Sequence, residues 1–197
     1  MHPEPAAHLH RHDESLSYAQ RIERERATKN ALFKSSPGSP LAHEQRLAFT
    51  GIDYFPVDEV YRLAGLRLAP YLGDQPVEFS IPTSDGRLRD ARRAGTFGFT
   101  LGDTACSLTA YDLSGGQAEG LFVPFLDGTS GRETYGAGRY LDLEPESDGT
   151  FVLDLNLAYH PLCVYSDHYS CPLTPAENRL PLRVEAGERL PVDETAR

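Results

Sequence analysis

The chain has 197 residues, of which 40% are hydrophobic and 24% charged, and its formal net charge is −10. That size and balance fit one folded domain with a true core, plus room for a tail and an appended helix. Beyond residue 36 the chain holds 24 acids against 13 Lys and Arg, which disfavours phosphate backbones and anionic lipid surfaces, so neither nucleic acid nor membrane is an expected partner.

Residues 1–12 carry four of the seven histidines, His2, His8, His10 and His12. Such a tract can catch metal, but it reads first as a disordered His-rich tail. The opening MHPEPAAHLHRHDE lacks the apolar core of a signal peptide, and no run of eighteen apolar residues follows anywhere. Three cysteines do not make a disulfide framework in a chain this long. The expected location is the cytoplasm.

Residues 13–36 predict a helix that packs on the body through its C-terminal end. Asp13 or Ser15 can cap it, and ESLSYAQRIERERATKNALF contains neither Gly nor Pro. Leu16, Ala19, Ile22, Leu32 and Phe33 form an incomplete apolar stripe, Glu25 and Lys29 make an i,i+4 pair, and SSPGSP ends the element.

After Leu41 the pattern becomes β-like, and residues 37–189 are expected to form a single β domain followed by a tail at 190–197. The runs YRLAGLRLAP, VEFSIP, RLRDARR, GTFGFTL, CSLTAYDL, GLFVPFL, GRYLDLE, TFVLDLNLAY and LPLRVEA are separated by turn formers such as Ser84-Asp85-Gly86 and Ser147-Asp148-Gly149. About eight or nine short strands without intervening helical periodicity predict a mainly all-β fold, an antiparallel β-barrel or sandwich with an N-terminal helix. In the segment 151–157 the odd positions are all apolar, so Asp154 and Asn156 project together from the other face. On an outer sheet face that pair decorates solvent; on a barrel wall it lines a polar pocket.

The stretch 121–180 concentrates Asp, Glu, Arg, His, Asn and Tyr between strands and holds two of the three cysteines. Its first constellation is Asp127, Glu133, Arg139, Asp154 and Asn156 with Tyr135 and Tyr159. Arg139 can clamp an anionic group, the carboxylates and amide can orient a ligand, and the tyrosines can wall it. The same groups read equally well as a structural network, because polar groups packed densely between strands must be satisfied whether or not a ligand exists. The loop at 127–138 has four glycines that could cradle an anion, but no GK[ST] follows and a strand does, so a glycine-shaped connection is favoured.

A separate set, His160, Cys163, His168 and Cys171, has residue types that can surround zinc, although the spacing matches no standard finger. Cys163, His168 and Cys171 are therefore the candidate metal ligands. Buried thiols, a Cys163–Cys171 disulfide and a Cys–His nucleophile pair with His168 are the competing readings.

LFVPFLDGTSGRETYGAGRYLDLE, DLNLAYHPLCVYS and CPLTPAENRLPLRVEAGE, with FTGIDYFPVDEVYRL upstream, resemble the bacterial and archaeal family of uncharacterised proteins catalogued as domain of unknown function 1684. The resemblance covers roughly residues 14–189. It implies a single domain and no established activity, and its pattern has Asn more often where this chain has His160, which counts against schemes that require His160. The functional expectation is a small-ligand-binding β protein with a polar-aromatic pocket for a polar or anionic metabolite. The alternatives are an acid–base or metal-assisted hydrolase using the same carboxylates, or a structural protein with no ligand.

Overall fold

The computed structural model describes residues 16–116 and 120–191. Asp13, Ser15, the expected tail at 1–12 and residues 192–197 of the expected C-terminal tail lie outside the described residues.

Helix α1 spans Tyr18–Ser35 and is capped by Ser17. The Ser17 hydroxyl accepts from the Gln20 N–H at 3.3 Å, and the Gln20 side chain accepts from the Ser17 N–H at 2.8 Å. This capping box satisfies two N–H groups that a helix start otherwise leaves orphaned, a contribution of about 1 kcal/mol. The buried positions are Ile22, Arg26 and Phe33. The stripe expected through Ala19 and Leu32 is thus displaced: both are exposed, and a polar residue, Arg26, occupies the inner face. A second helix, α2 at His43–Ala48, interrupts the region read as β after Leu41. Its start is capped by Gln45, whose side chain accepts from the Ala42 N–H at 2.7 Å.

Nine strands follow among the described residues: β1 Asp53–Tyr54, β2 Arg62–Leu66, β3 Glu78–Pro82, β4 Leu88–Leu101, β5 Thr104–Asp112, β6 Leu121–Phe125, β7 Arg139–Leu143, β8 Phe151–Asp154 and β9 Glu188–Arg189. Five of them form an antiparallel sheet in the order β3-β4-β5-β6-β7, while β2 pairs with β8 and β1 with β9. The expected mainly β, antiparallel architecture with an N-terminal helix is present; among the described residues the strands do not close into a barrel. The LPLRVEA run forms no strand. The two runs RLRDARR and GTFGFTL are one strand with a register shift between Arg93 and Gly95. A Cβ on Gly95 would lie 2.4 Å from the Ala69 carbonyl, so only glycine lets the 68–69 segment cross there and bridge to Thr96.

One face of the large sheet builds the main core. Phe97, Leu108, Val123 and Phe125 meet Leu153, Leu155 and Val184, all at most 1% exposed. Each such side chain contributes about 1.5–3 kcal/mol of transfer free energy. The second face carries Tyr111, Phe122 and Tyr140, packed against Cys171 of the segment that follows β8. Polar bolts join these layers. Asn178 is fully buried and bonds the Thr109 N–H at 2.8 Å and the Thr109 and Pro124 carbonyls at 2.7 Å. Among the described residues no helix is long and apolar enough to cross a membrane.

Candidate functional site

Helix α1 lies across the β1–β9 pair and the turn after β8, and the contact is polar. Lys29 Nζ bonds Glu188 Oε1 at 2.5 Å. Glu188 is only 1% exposed, and its other oxygen accepts from the His160 N–H at 2.7 Å and the Tyr165 hydroxyl at 3.2 Å. Gly187 sets this approach: its φ is +76°, and a Cβ there would come within 2.5 Å of the Ala158 carbonyl. The Lys29 ammonium also sits 4.8 Å from the Tyr159 ring centroid.

The His160 ring is buried behind this pair. Its Nε2 accepts from the Tyr135 N–H at 3.3 Å, which puts the ring proton on Nδ1, 3.8 Å from Glu188 Oε2. Burial first, then the charges of Arg139 and Lys29, push the imidazole pKa down to about 3. His160 is accordingly neutral at pH 7.

Beside the Lys29–Glu188 pair a cleft of about 240 Å³ is lined by Arg26, Lys29, Tyr54, Asn156, Tyr159 and Glu188, among others. Among the described residues, the Tyr54 hydroxyl and Arg26 Nε are buried without a hydrogen-bond partner. The rest of the Arg26 guanidinium is engaged, donating to Glu23 Oε1 at 3.1 Å, the Phe55 carbonyl at 3.0 Å and the Asn156 carbonyl at 3.4 Å. It stacks 4.5 Å from the Tyr54 ring centroid. Burial, then the Glu188 charge, raises the Tyr54 pKa, so the phenol keeps its proton and remains a donor.

Asp154 and Asn156 are buried under α1, so they do not decorate a solvent-exposed sheet face. Strand β8 ends at Asp154, and residues Leu155–Leu157 turn as a 3-10 helix. The alternation therefore breaks: Leu157 points outward at 40% exposed, while Asp154 and Asn156 both turn inward. The Tyr18 hydroxyl lies 2.8 Å from both Asp154 oxygens, and Asn156 Nδ2 donates to that hydroxyl at 2.9 Å and to the Asp58 carbonyl at 2.8 Å. These bonds hold the N-terminal half of α1, so the helix docks along both halves rather than through its C-terminal end alone.

Arg139 and Asp127 are brought together as a fully buried brace. Arg139 Nη2 lies 3.2 Å from Asp127 Oδ2 and donates to the Val184 carbonyl at 2.9 Å. Nη1 donates to the Ala186 carbonyl and, at 3.1 Å, to that of Glu188. Asp127 also accepts from Thr129 Oγ1 at 2.7 Å and the Val184 N–H at 2.7 Å. All four terminal N–H bonds of Arg139 are thus used inside the fold, and they clamp the 184–188 segment that carries Glu188. The glycine-bearing loop is likewise satisfied internally, with the Glu133 and Thr134 N–H groups donating to the Thr129 carbonyl at 3.0 and 3.2 Å. The Glu133 side chain stands apart on the surface, paired with Arg183 at 2.6 Å. That pairing holds the Glu133 carboxyl below its usual pKa.

Cys163, His168 and Cys171 do not come together as a group that could hold a metal ion. Among the described residues no three His, Cys, Asp or Glu side chains are grouped as metal ligands. Cys171 is buried and its sulfur accepts from the Cys163 N–H at 3.3 Å, whereas His168 is exposed. Cys163 and Cys171 are free thiols. Burial pushes the Cys171 thiol up to about 11, which disfavours the thiolate that a Cys–His nucleophile requires.

Of the residues singled out from the sequence, Asn156 and Tyr159 line the cleft, Asp154 supports Asn156, and Arg139 with Asp127 braces the strand behind Glu188. The residues missed are Arg26, Lys29, Tyr54 and Glu188. Arg26 had a readable signal, a charge spaced four residues from Ile22 and seven from Phe33 on the helix's inner face. Tyr54 and Glu188 sit in two-residue strands, too short for any periodicity.

A family model described as "Protein of unknown function (DUF1684)" matches residues 47–189. The solution NMR structure of an uncharacterized protein from Haloarcula marismortui is similar to this chain at 35% sequence identity, with a TM-score of 0.65, over 94% of this chain and 100% of that one. Among curated proteins no match is found.

Proposed function

Since the chain belongs to DUF1684, a family of proteins of unknown function, we propose from its site that it is a cytoplasmic small-molecule-binding protein. Its polar or anionic ligand occupies the cleft between α1 and the β1–β9 pair. The observation that carries this reading is the Tyr54 hydroxyl, a buried donor that has no partner among the described residues and belongs to a cleft-lining residue. A hydroxyl desolvated without a hydrogen bond costs about 1–3 kcal/mol, so an acceptor placed there recovers that cost.

Arg26 and Lys29 share the cleft lining with Glu25 and Glu188, and two of the lining residues carry unused donors among the described residues. Tyr54 and Arg26 Nε are unpartnered, and the Lys29 ammonium has three N–H bonds, one of which goes to Glu188. A molecule bearing carboxylate, phosphoryl or carbonyl oxygens complements those unused donors. The volume of about 240 Å³ lies below the usual ligand range of about 300–1,000 Å³, which restricts the ligand to a small molecule. Tyr159 and the alkyl stem of Lys29 supply the apolar wall. The free thiols at Cys163 and Cys171 suit a reducing compartment.

An ordered water can also satisfy the Tyr54 hydroxyl, and the test separates the two. The full chain is titrated with a panel of small mono- and dicarboxylates and inorganic phosphate while Tyr54, Lys29 and Tyr159 resonances are followed. Saturable shifts at these residues with at least one probe, together with a raised melting temperature, are expected. Absence of a saturable response across the panel would leave water as the occupant and remove the proposal.

A further inference from the structure

The described residues cover the second face of the five-stranded sheet only in part. The segment after β8 crosses it, anchored where the Tyr140 hydroxyl donates to the Pro172 carbonyl and the Leu173 N–H donates to the Pro82 carbonyl at 2.7 Å. Beside that cover runs a groove of about 590 Å³ floored by Leu113, Phe122 and Tyr140 and walled by Tyr159, Leu162 and Tyr169. The rings are set edge to face, Phe122 to Tyr140 at 4.7 Å and Tyr140 to Tyr159 at 5.8 Å. A mixed apolar and aromatic concavity of this size left open on a sheet face is characteristic of a ligand or partner site.

Charge selects the occupant. Asp142 and Glu144 both line the groove and both are exposed. They project from the same face of β7 and its extension as Tyr140, because side chains alternate along a strand. Asp142 pairs in register with Phe122, and its carboxylate is held by the Tyr159 hydroxyl at 2.5 Å. Arg89 is the one Lys or Arg among the lining residues, and its Nη2 donates to the Leu113 carbonyl at 3.4 Å. An anion would face two carboxylates. A neutral apolar molecule would strip water from them and return no hydrogen bonds. A cation attached to an apolar body answers both the carboxylates and the rings.

We propose that this groove binds a small amphipathic ammonium compound, with its apolar or aromatic body on Phe122, Tyr140 and Leu162 and its ammonium held by Asp142 and Glu144. The site is separate in position from the cleft at Tyr54, with Tyr159 the one residue common to both linings. It does not depend on what that cleft binds.

The test is an NMR titration of the full chain with 2-phenylethylammonium, using 2-phenylethanol and phenylacetate as neutral and anionic counterparts. Saturable shifts at Phe122, Tyr140 and Leu162 are expected, with the ammonium binding about tenfold more tightly than either counterpart. The Asp142→Asn/Glu144→Gln variant should abolish that preference while keeping its circular dichroism. Glu144→Gln alone leaves the Asp142–Tyr159 bond in place and should weaken ammonium binding severalfold, so the proposal stays decidable if the double variant misfolds. Equal affinity for the three probes, a preference for phenylacetate, shifts confined to Tyr54 and Lys29, or no saturable shift at all would overturn it. So would concentration-dependent shifts of the groove without any probe, which would assign it to a second copy of the chain.

Discussion

Lys29 and Glu188 stand 159 positions apart in the chain and meet at 2.5 Å, Nζ to Oε1. Through this bond the N-terminal helix closes on a strand near the other end of the described chain, and the candidate cleft opens beside it.

Removing the lysine while keeping the carboxylate tests that closure. Glu188 is 1% exposed and Lys29 30%, so Lys29→Met leaves a buried charge with only the His160 N–H and the Tyr165 hydroxyl. A fully buried pair broken in this way costs about 3–5 kcal/mol; partial hydration of Lys29 reduces the expected loss to about 2–3 kcal/mol. Urea unfolding of Lys29→Met, Glu188→Gln and the double variant should show the double losing clearly less than the sum of the singles.

Arg139 and Glu133 should behave oppositely, although both belong to one sequence constellation. Arg139→Met strands Asp127 in the core, where the two side chains are 1% and 0% exposed, and should cost about 3–5 kcal/mol. Glu133→Gln breaks a surface pair with Arg183 and should cost less than about 1 kcal/mol. It should also leave ligand responses at Tyr54 unchanged. Equilibrium unfolding of the two variants checks the contrast.

The buried imidazole predicts an acid dependence. The His160 pKa falls to about 3 in the folded protein from an ordinary value of 6.5. Between those values the unfolded chain takes up a proton that the folded chain refuses. This stability is therefore complete above pH 6.5 and is lost, as pH falls towards 3, at about 1.4 kcal/mol per pH unit. His160→Asn removes the titration, so the stability difference between the parent and the variant should shift in the variant's favour by about 2 kcal/mol on going from pH 7 to pH 5.

Thiol chemistry supplies a further check. Cys171 is buried with its thiol pushed up to about 11, so native protein at pH 7.5 should alkylate at Cys171 far more slowly than denatured protein. Peptide mapping after a timed iodoacetamide pulse reads this directly. Equal labelling in both states would contradict the burial assigned to it.

Much of the β architecture was legible because it rests on local signals. Turn formers marked the strand ends, and period-2 runs such as CSLTAYDL became β5. The legibility ended where a long-range contact decided the outcome. β8 stops at Asp154, where that carboxylate meets Tyr18, 136 positions away, and the alternation that would have kept Asp154 and Asn156 on the face opposite Leu153 and Leu155 stops with it. Arg139 and Asp127 belong to one sequence constellation, yet their further partners are backbone carbonyls and N–H groups of residues 184–188, which carry no side-chain signature. Lys29 and Glu188 lay in segments read as a helix-surface pair and a domain end, and only the packing of α1 on β9 brings them to one cleft.

The most direct measurement of the cleft's role is the Tyr54→Phe variant, compared with the parent for stability without ligand and for response to the carboxylate and phosphate panel. Deleting a buried hydroxyl that has no partner should leave the unliganded stability unchanged or raise it by up to about 1 kcal/mol, while the saturable ligand response is lost or weakened about tenfold or more. A loss of about 1 kcal/mol or more in unliganded stability, with the ligand response intact, would show that the hydroxyl is already satisfied within the fold and would contradict the account.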